Sequence, residues 1–206
     1  MEHNLEHTIS LLTRTPATLN ALLRDLPEAW TLRNEGENSR GEKSWSTFDV
    51  IGHLIHAERT DWMPRARMVL QFGESQPFES FDRWGHVTES QGKSLGQLLD
   101  EFARLRAQSL DELRALNLRP EDLERRGRHP ALGVVTLGQL LATWAAHDLF
   151  ICTKSQGSWP TNTARLWVRG AHTLACCNAP ATALNELFRQ DGWPAATQLR
   201  SPRHVR

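Results

Sequence analysis

The 206-residue chain has no tyrosine, only three cysteines, no net charge and no long apolar run. No segment approaches the roughly 18 consecutive apolar residues that a membrane-spanning helix needs, and the first residues lack the basic-then-apolar pattern of a secretory signal. We therefore expect a cytoplasmic protein without a membrane partner. The 24 basic residues balance the 24 acidic ones, which argues against a nucleic-acid partner, since a general binder needs a concentrated cationic surface.

The few cysteines also argue against a cysteine-based site. Cys152, Cys176 and Cys177 all lie beyond residue 150, and the adjacent pair matches neither a zinc-binding spacing nor a disulfide framework. A nucleophile elbow, a P-loop, a dinucleotide fingerprint and an H-E-x-x-H pattern are absent as well. The sequence therefore predicts none of these common chemistries, and it leaves the catalytic residues unknown.

The balanced charge conceals two unlike parts. Residues 1–150 hold 17 basic and 22 acidic side chains, a net charge of −5, whereas residues 151–206 hold seven and two, a net charge of +5. A single neutral domain is the first expectation for a chain of this length and composition. The split indicates instead that the last 56 residues are compositionally unrelated to the rest.

The apolar residues of the first part recur at the three-to-four spacing of amphipathic helices. Four helices are predicted: residues 4–26, residues 47 to about 70 with a kink at Pro64, residues 95–117, and a fourth from residue 137. Three of them begin with a capping box, in which a serine or threonine precedes an acidic or amide residue by three positions: Ser46 and Asp49, Ser94 and Gln97, Thr136 and Gln139. Residues 34–44, 73–92 and 121–130 are predicted loops. The fold class is therefore all-α, a four-helix bundle.

Histidines on two of these helices are candidate metal ligands. His53 and His56 lie on the second helix, and His147 lies on the fourth. Facing helices of a bundle bring side chains together in the core, where neutral imidazoles are common ligands of zinc and similar ions. Taken alone, a histidine in a bundle is more often a hydrogen-bonded or exposed residue than a metal ligand.

The residues around these histidines resemble a known family. Trp45 and Ser46, the run from Phe48 to Arg59, and residues 137–149 are similar to the DinB-like superfamily, which includes YfiT-type metal-dependent hydrolases and the bacillithiol and mycothiol transferases. The resemblance covers about residues 1–150. It implies a four-helix bundle, often a homodimer, that holds a divalent metal such as zinc, nickel or iron on three histidines. An open position on such a metal binds a thiol or activates water, so a small thiol or electrophile is the implied substrate.

The chain departs from this pattern at the third ligand. The resemblance implies that His53 and His147 are metal ligands and that a third histidine stands four residues after His147, where both project from one face of the helix. Position 151 holds Ile151, which cannot bind a metal. We therefore expect weak metal binding or none; Glu58 or Asp61 could support a metal from the outer shell or simply face water. A non-catalytic binding or structural bundle without a metal site is the alternative.

The resemblance stops at residue 151, and so does the helical pattern, because Gly157 and Pro160 both oppose a helix. Reading the possible codons of the tail one base earlier permits the sequence HLHQISRVMAHQYREAVGPWRAYLGVLQ. This reading begins with the missing histidine and continues an amphipathic helix. We hypothesise that residues 151–206 are translated from a shifted frame, through loss of one base near codon 150. A genuine C-terminal extension is the alternative, and the DNA sequence across codons 145–160 distinguishes the two.

The predicted organisation follows from this break. Residues 1–150 form a DinB-like bundle domain with a truncated last helix, and residues 151–206 form an aberrant, irregular C-terminal tail. Residues 155–206 are expected to pack poorly, so residues 1–150 must supply nearly all of the core.

Overall fold

A computed structural model describes residues 4–33 and 45–154. The expected irregular tail, its poor packing and its shifted reading frame concern residues that lie mostly outside these ranges. Within them, no helix is long and apolar enough to cross a membrane. The elements in chain order are α1 (Leu5–Leu23), α2 (Glu28–Thr31), α3 (Thr47–Thr60), α4 (Trp62–Phe72), a 3-10 turn (Gly73–Ser75), α5 (Gly85–Glu89), α6 (Leu95–Ala115), α7 (Pro120–Leu123), β1 (Arg126–His129), β2 (Gly133–Thr136) and α8 (Leu137–Lys154).

The long helices form a four-helix bundle, which confirms the predicted fold class. α3 packs against α6, α1 packs against both α6 and α8, and α4 packs against α8. The short helix α5 lies on α3. The described part of α8 continues to Lys154, four residues past the boundary predicted at residue 150.

Two clusters of buried apolar side chains fill the bundle. The first lies between α1, α4, α6 and α8 and includes Leu12, Met63, Ala66, Val69, Leu113, Leu137 and Trp144. The second lies between α1, α3, α6 and the end of α8 and includes Leu19, Ile51, Leu54, Ile55, Leu98, Phe102 and Ile151. The two histidine-bearing helices, α3 and α8, thus pass through the middle of the core.

All three predicted capping boxes form. The Ser46 hydroxyl accepts from the Asp49 amide, and the Asp49 carboxylate accepts from the Ser46 amide at 2.9 Å. The same reciprocal bonds join Ser94 to Gln97, and the Thr136 amide donates to the Gln139 side chain at 2.9 Å. These bonds satisfy amide groups that a helix start leaves without partners, so the first turns are set locally.

The predicted second helix is two helices, and the prediction of a kink at Pro64 was wrong. α3 ends at Thr60 and α4 begins at Trp62, and the backbone of Asp61 between them is distorted from ideal helix values, with φ −113° and ψ −75°. Pro64 therefore lies in the first turn of α4, where its missing N–H leaves no hydrogen bond unmade. The interruption between the two helices lies at Asp61 instead.

The segment predicted as a loop over residues 121–130 contains most of α7 and the first strand of a hairpin. β1 pairs with β2 in antiparallel register, from Arg126 opposite Thr136 to His129 opposite Gly133. Gly133 has a φ of 73°, a left-handed conformation that glycine adopts without strain. Four-residue strands carry too short an alternation for the sequence to reveal them.

His129 at the tip of this hairpin should make the fold sensitive to acid. Burial, and then the charge of Arg65, lower the pKa of His129 from 6.5 to about 4. Between these values the unfolded chain binds a proton that the folded chain does not. The contribution of His129 to the free energy of unfolding is therefore complete above pH 6.5 and is lost as the pH drops to 4, by up to about 3 kcal/mol. Urea unfolding at several pH values across this window measures the loss.

A His129→Asn variant is the matched control for this effect. The His129 Nδ1 accepts hydrogen bonds from the amides of Ala131 and Leu132 at 3.1 and 3.2 Å. An asparagine oxygen can accept the same bonds but does not titrate. The free energy of unfolding of the His129→Asn variant should therefore change less between pH 6.5 and pH 4 than that of the unaltered chain. An equal loss in the variant and the unaltered chain would show that His129 is not responsible.

Candidate functional site

His53 lies in the middle of α3, and its side chain is almost fully buried. α3 packs against both α6 and α5, and residues 50–58 are all buried. The neighbouring residue Gly52 lets α5 approach closely, since a Cβ atom at this position would lie 2.5 Å from the Ser90 hydroxyl. α3 therefore carries His53 inside the bundle, beneath α5.

His147 reaches the same point from α8. Its Nε2 lies 3.3 Å from the Nε2 of His53, and both side chains are buried. One neutral imidazole can donate to the other across this distance. Burial, and then repulsion from His147, lower the pKa of His53 well below 6.5. The fold thus brings together two histidines that are 94 residues apart in the chain, and the lowered pKa of His53 favours the neutral imidazole that metal binding requires.

The position one turn beyond His147 holds an apolar side chain. Ile151 is fully buried in the second core cluster, and its hydrocarbon cannot ligate a metal. In the described ranges, no group of three histidine, cysteine or carboxylate side chains is arranged to hold a metal ion. Two protein ligands are one fewer than a catalytic zinc site uses.

Neither His56 nor Cys152, the other candidate ligands, supplies a third metal ligand beside His53 and His147. His56, three residues after His53, has its Nδ1 2.8 Å from the Glu89 carboxylate of α5. Burial raises the pKa of the Cys152 thiol to about 11, so at neutral pH this group is not the thiolate that binds metals.

Aromatic rings enclose the histidine pair. The ring centroids of Trp45, Phe81 and His86 lie 4.7, 5.4 and 6.2 Å from that of His53. Trp62 lies 5.5 Å from the ring of His147. Sequence reasoning missed His86, because it lies in a segment predicted as a loop and only the docking of α5 on α3 brings it here.

The Nδ1 atoms of His53 and His147, which do not form the contact between the two rings, lack described partners of the kind that metal-binding histidines have. Neither the Nδ1 of His53 nor that of His147 has a hydrogen-bond partner within the described part of the chain. The Asp148 carboxylate lies 4.0 Å from the His147 Nδ1, too far for a hydrogen bond. Histidines that bind a metal almost always donate their other N–H to a fixed acceptor. The residues of the two described ranges therefore do not complete a catalytic metal centre.

Arg106 is the charged residue of the core that sequence reasoning missed. Its guanidinium, 1% exposed, contacts Glu58 of α3 at 2.7 Å and Asp148 of α8 at 2.5 Å. It also donates to the Leu12 carbonyl of α1 at 3.1 Å. The sequence held a signal, since Arg106 follows Phe102 by four residues and shares its apolar face. A charged residue at such a position requires partners.

The ionisation of this cluster reflects its burial and its charges. Although burial acts to lower it, the two carboxylates leave the pKa of Arg106 above its ordinary value. Burial raises the pKa of Glu58. Burial also acts to raise the pKa of Asp148, but the Arg106 charge outweighs it and leaves that pKa below its ordinary value. Glu58, named from the sequence as a possible outer-shell partner of a metal, is paired with Arg106 instead.

The fold is similar to that of YfiT from Bacillus subtilis, described as a probable metal-dependent hydrolase with an unusual four-helix bundle topology. The TM-score is 0.58 at 16% sequence identity, and the alignment covers 94% of this chain and 91% of that one. At this identity the likeness concerns the fold alone. No curated protein matches the chain.

The profile of the DinB superfamily matches residues 11–149. This range is more than half of the chain and includes His53 and His147 on their helices. It ends two residues before Ile151, where the sequence departs from the ligand pattern. The chain belongs to the DinB superfamily.

Proposed function

We propose that the chain is a divalent-metal-binding bundle related to metal-dependent hydrolases and thiol S-transferases, in which the metal centre lacks its third protein ligand. The observation that carries this proposal is the 3.3 Å approach of the buried ε nitrogens of His53 and His147. Two imidazoles that face each other in a core would supply two of the three protein ligands that a catalytic zinc site uses. With Ile151 in the remaining position, we expect weak binding of zinc, nickel or iron and no catalysis.

A structural bundle without a metal site is the second candidate. Among the described residues, the Nδ1 atoms of His53 and His147 have no hydrogen-bond partner, which favours this candidate, since metal-binding histidines normally have a second partner. In this case the two rings form a hydrogen-bonded pair of the core. A homodimer and a small thiol or electrophile substrate stay predictions from the family resemblance.

Equilibrium dialysis with zinc, nickel and iron tests the proposal. The chain should retain little metal, whereas an Ile151→His variant should bind close to one equivalent, because the third ligand then stands one turn from His147. Adding His53→Ala to this variant should abolish the binding. A variant that binds no metal, or binds independently of His53, would favour the structural bundle. Binding by the unaltered chain as tight as that of the variant would contradict the role assigned to Ile151.

A further inference from the structure

A single guanidinium connects the two helices that carry the histidine pair. Arg106 of α6 binds one carboxylate on each of them, Glu58 on α3 and Asp148 on α8. Asp148 is the residue next to His147, and Glu58 lies five residues beyond His53, about 7.5 Å further along the helix axis. Both arms of the connection therefore end within two turns of a histidine.

Arg106 holds Glu58 and Asp148 through hydrogen bonds of defined direction as well as through its charge. Arg106 donates to Asp148 from both terminal nitrogens, at 2.5 and 3.2 Å, and to Glu58 from its Nε at 2.8 Å. A planar guanidinium presents these donors in a fixed fork, so it restrains the orientation of each carboxylate as well as its distance.

The guanidinium itself is held in place. It lies between the rings of Phe102 and Trp144, with its carbon 4.9 and 5.0 Å from their centroids. The Leu12 carbonyl accepts a further hydrogen bond from it. Since helices are stiff, holding Glu58 and Asp148 against this fixed group restrains the rotation and height of α3 and α8.

We propose that Arg106 is a positioning residue that sets the separation of the His53 and His147 ε nitrogens. It acts through Glu58 and Asp148 and not by contact with a metal or substrate. The separation is a property of the chain as it stands; its use in metal binding rests on the proposed function.

The first test measures the histidine pair without metal. The N–H shared by His53 and His147 should give a downfield proton resonance that exchanges slowly, assigned by its loss in His147→Ala. An Arg106→Lys variant keeps the positive charge but loses the fork, and this resonance should shift or disappear. A Glu58→Gln, Arg106→Met, Asp148→Asn triple variant removes all three charges together, which a fold often tolerates, and should lose the resonance too.

The matched control replaces an ion pair elsewhere on α6. Arg67→Met with Glu112→Gln removes a partly exposed pair between α4 and α6, and the resonance should stay unchanged. An unaltered resonance in either folded Arg106 variant would overturn the proposal. Its absence from the unaltered chain would overturn it as well, because the pair would then not be held at hydrogen-bond distance.

The second test measures zinc affinity in the Ile151→His background. Adding Arg106→Lys should weaken zinc binding about 10- to 100-fold, the usual effect of disturbing a residue that orients ligands. The Arg67→Met, Glu112→Gln control should leave the affinity unchanged. Undiminished affinity with Arg106→Lys would overturn the positioning role and leave the proposed function intact. Absence of zinc binding from every Ile151→His protein, together with the expected resonance changes, would refute the proposed function and support the positioning role.

Discussion

Replacing Arg106 by methionine should lower the free energy of unfolding by about 3 to 5 kcal/mol. The change leaves Glu58 and Asp148 buried without their cation, and an unpaired buried charge is far more costly than the pair itself was favourable. Methionine keeps most of the length of the side chain between Phe102 and Trp144, so lost packing contributes little. Urea unfolding followed by circular dichroism measures the loss.

The carboxylates determine the size of this effect. In a Glu58→Gln, Asp148→Asn background the same Arg106→Met change should cost much less, because no net charge is then left behind. The matched control is Arg67→Met, which breaks a pair in which Arg67 is exposed and should cost less than about 1 kcal/mol. Equal costs for Arg106→Met in both backgrounds would show that the charges are not the cause.

An Ile151→His variant should be less stable than the unaltered chain without metal and should regain stability with zinc. Ile151 is fully buried among apolar residues, so an imidazole there should cost about 2 to 4 kcal/mol. Zinc at 100 times its dissociation constant should return about 2.7 kcal/mol, because it binds only the folded protein. Thermal unfolding with zinc and with a chelator measures both changes.

A Leu149→His variant controls for the added histidine. Leu149 lies on α8 but is 42% exposed, so an imidazole there should neither destabilise the protein nor respond to zinc. In the Ile151→His background, His53→Ala should remove the zinc response. A zinc response of the same size in the Leu149→His protein would show that the metal binds outside the histidine pair.

Local features of the fold were readable from the sequence. The capping boxes at Ser46, Ser94 and Thr136 form as predicted, because their hydrogen bonds join residues three positions apart. The apolar spacing predicted the long helical segments for the same reason, since it repeats within each turn of a helix, although it joined α3 and α4 into one helix.

The sequence predicted two features wrongly, the position of the helix break and the hairpin of β1 and β2, which local periodicity does not reveal. The chain breaks its helix at Asp61 and not at Pro64, because the proline lies where a helix start accommodates it. The hairpin of β1 and β2 lies against the 3-10 turn and α4, and its four-residue strands have no strong pattern of their own. Periodicity within one segment cannot indicate such contacts.

The candidate site also has features that the sequence predicts and features that only the tertiary structure shows. The sequence by itself determined the fold class, the two helices that carry the histidines, and the loss of a third histidine ligand at Ile151. Each of these depends on residue types that lie within a few helical turns. Only the tertiary structure decided that His53 and His147 meet at 3.3 Å and that Arg106 joins their helices through Glu58 and Asp148. These contacts link residues 42 to 94 positions apart, and side chains so distant meet only where the packing of the whole bundle places their helices.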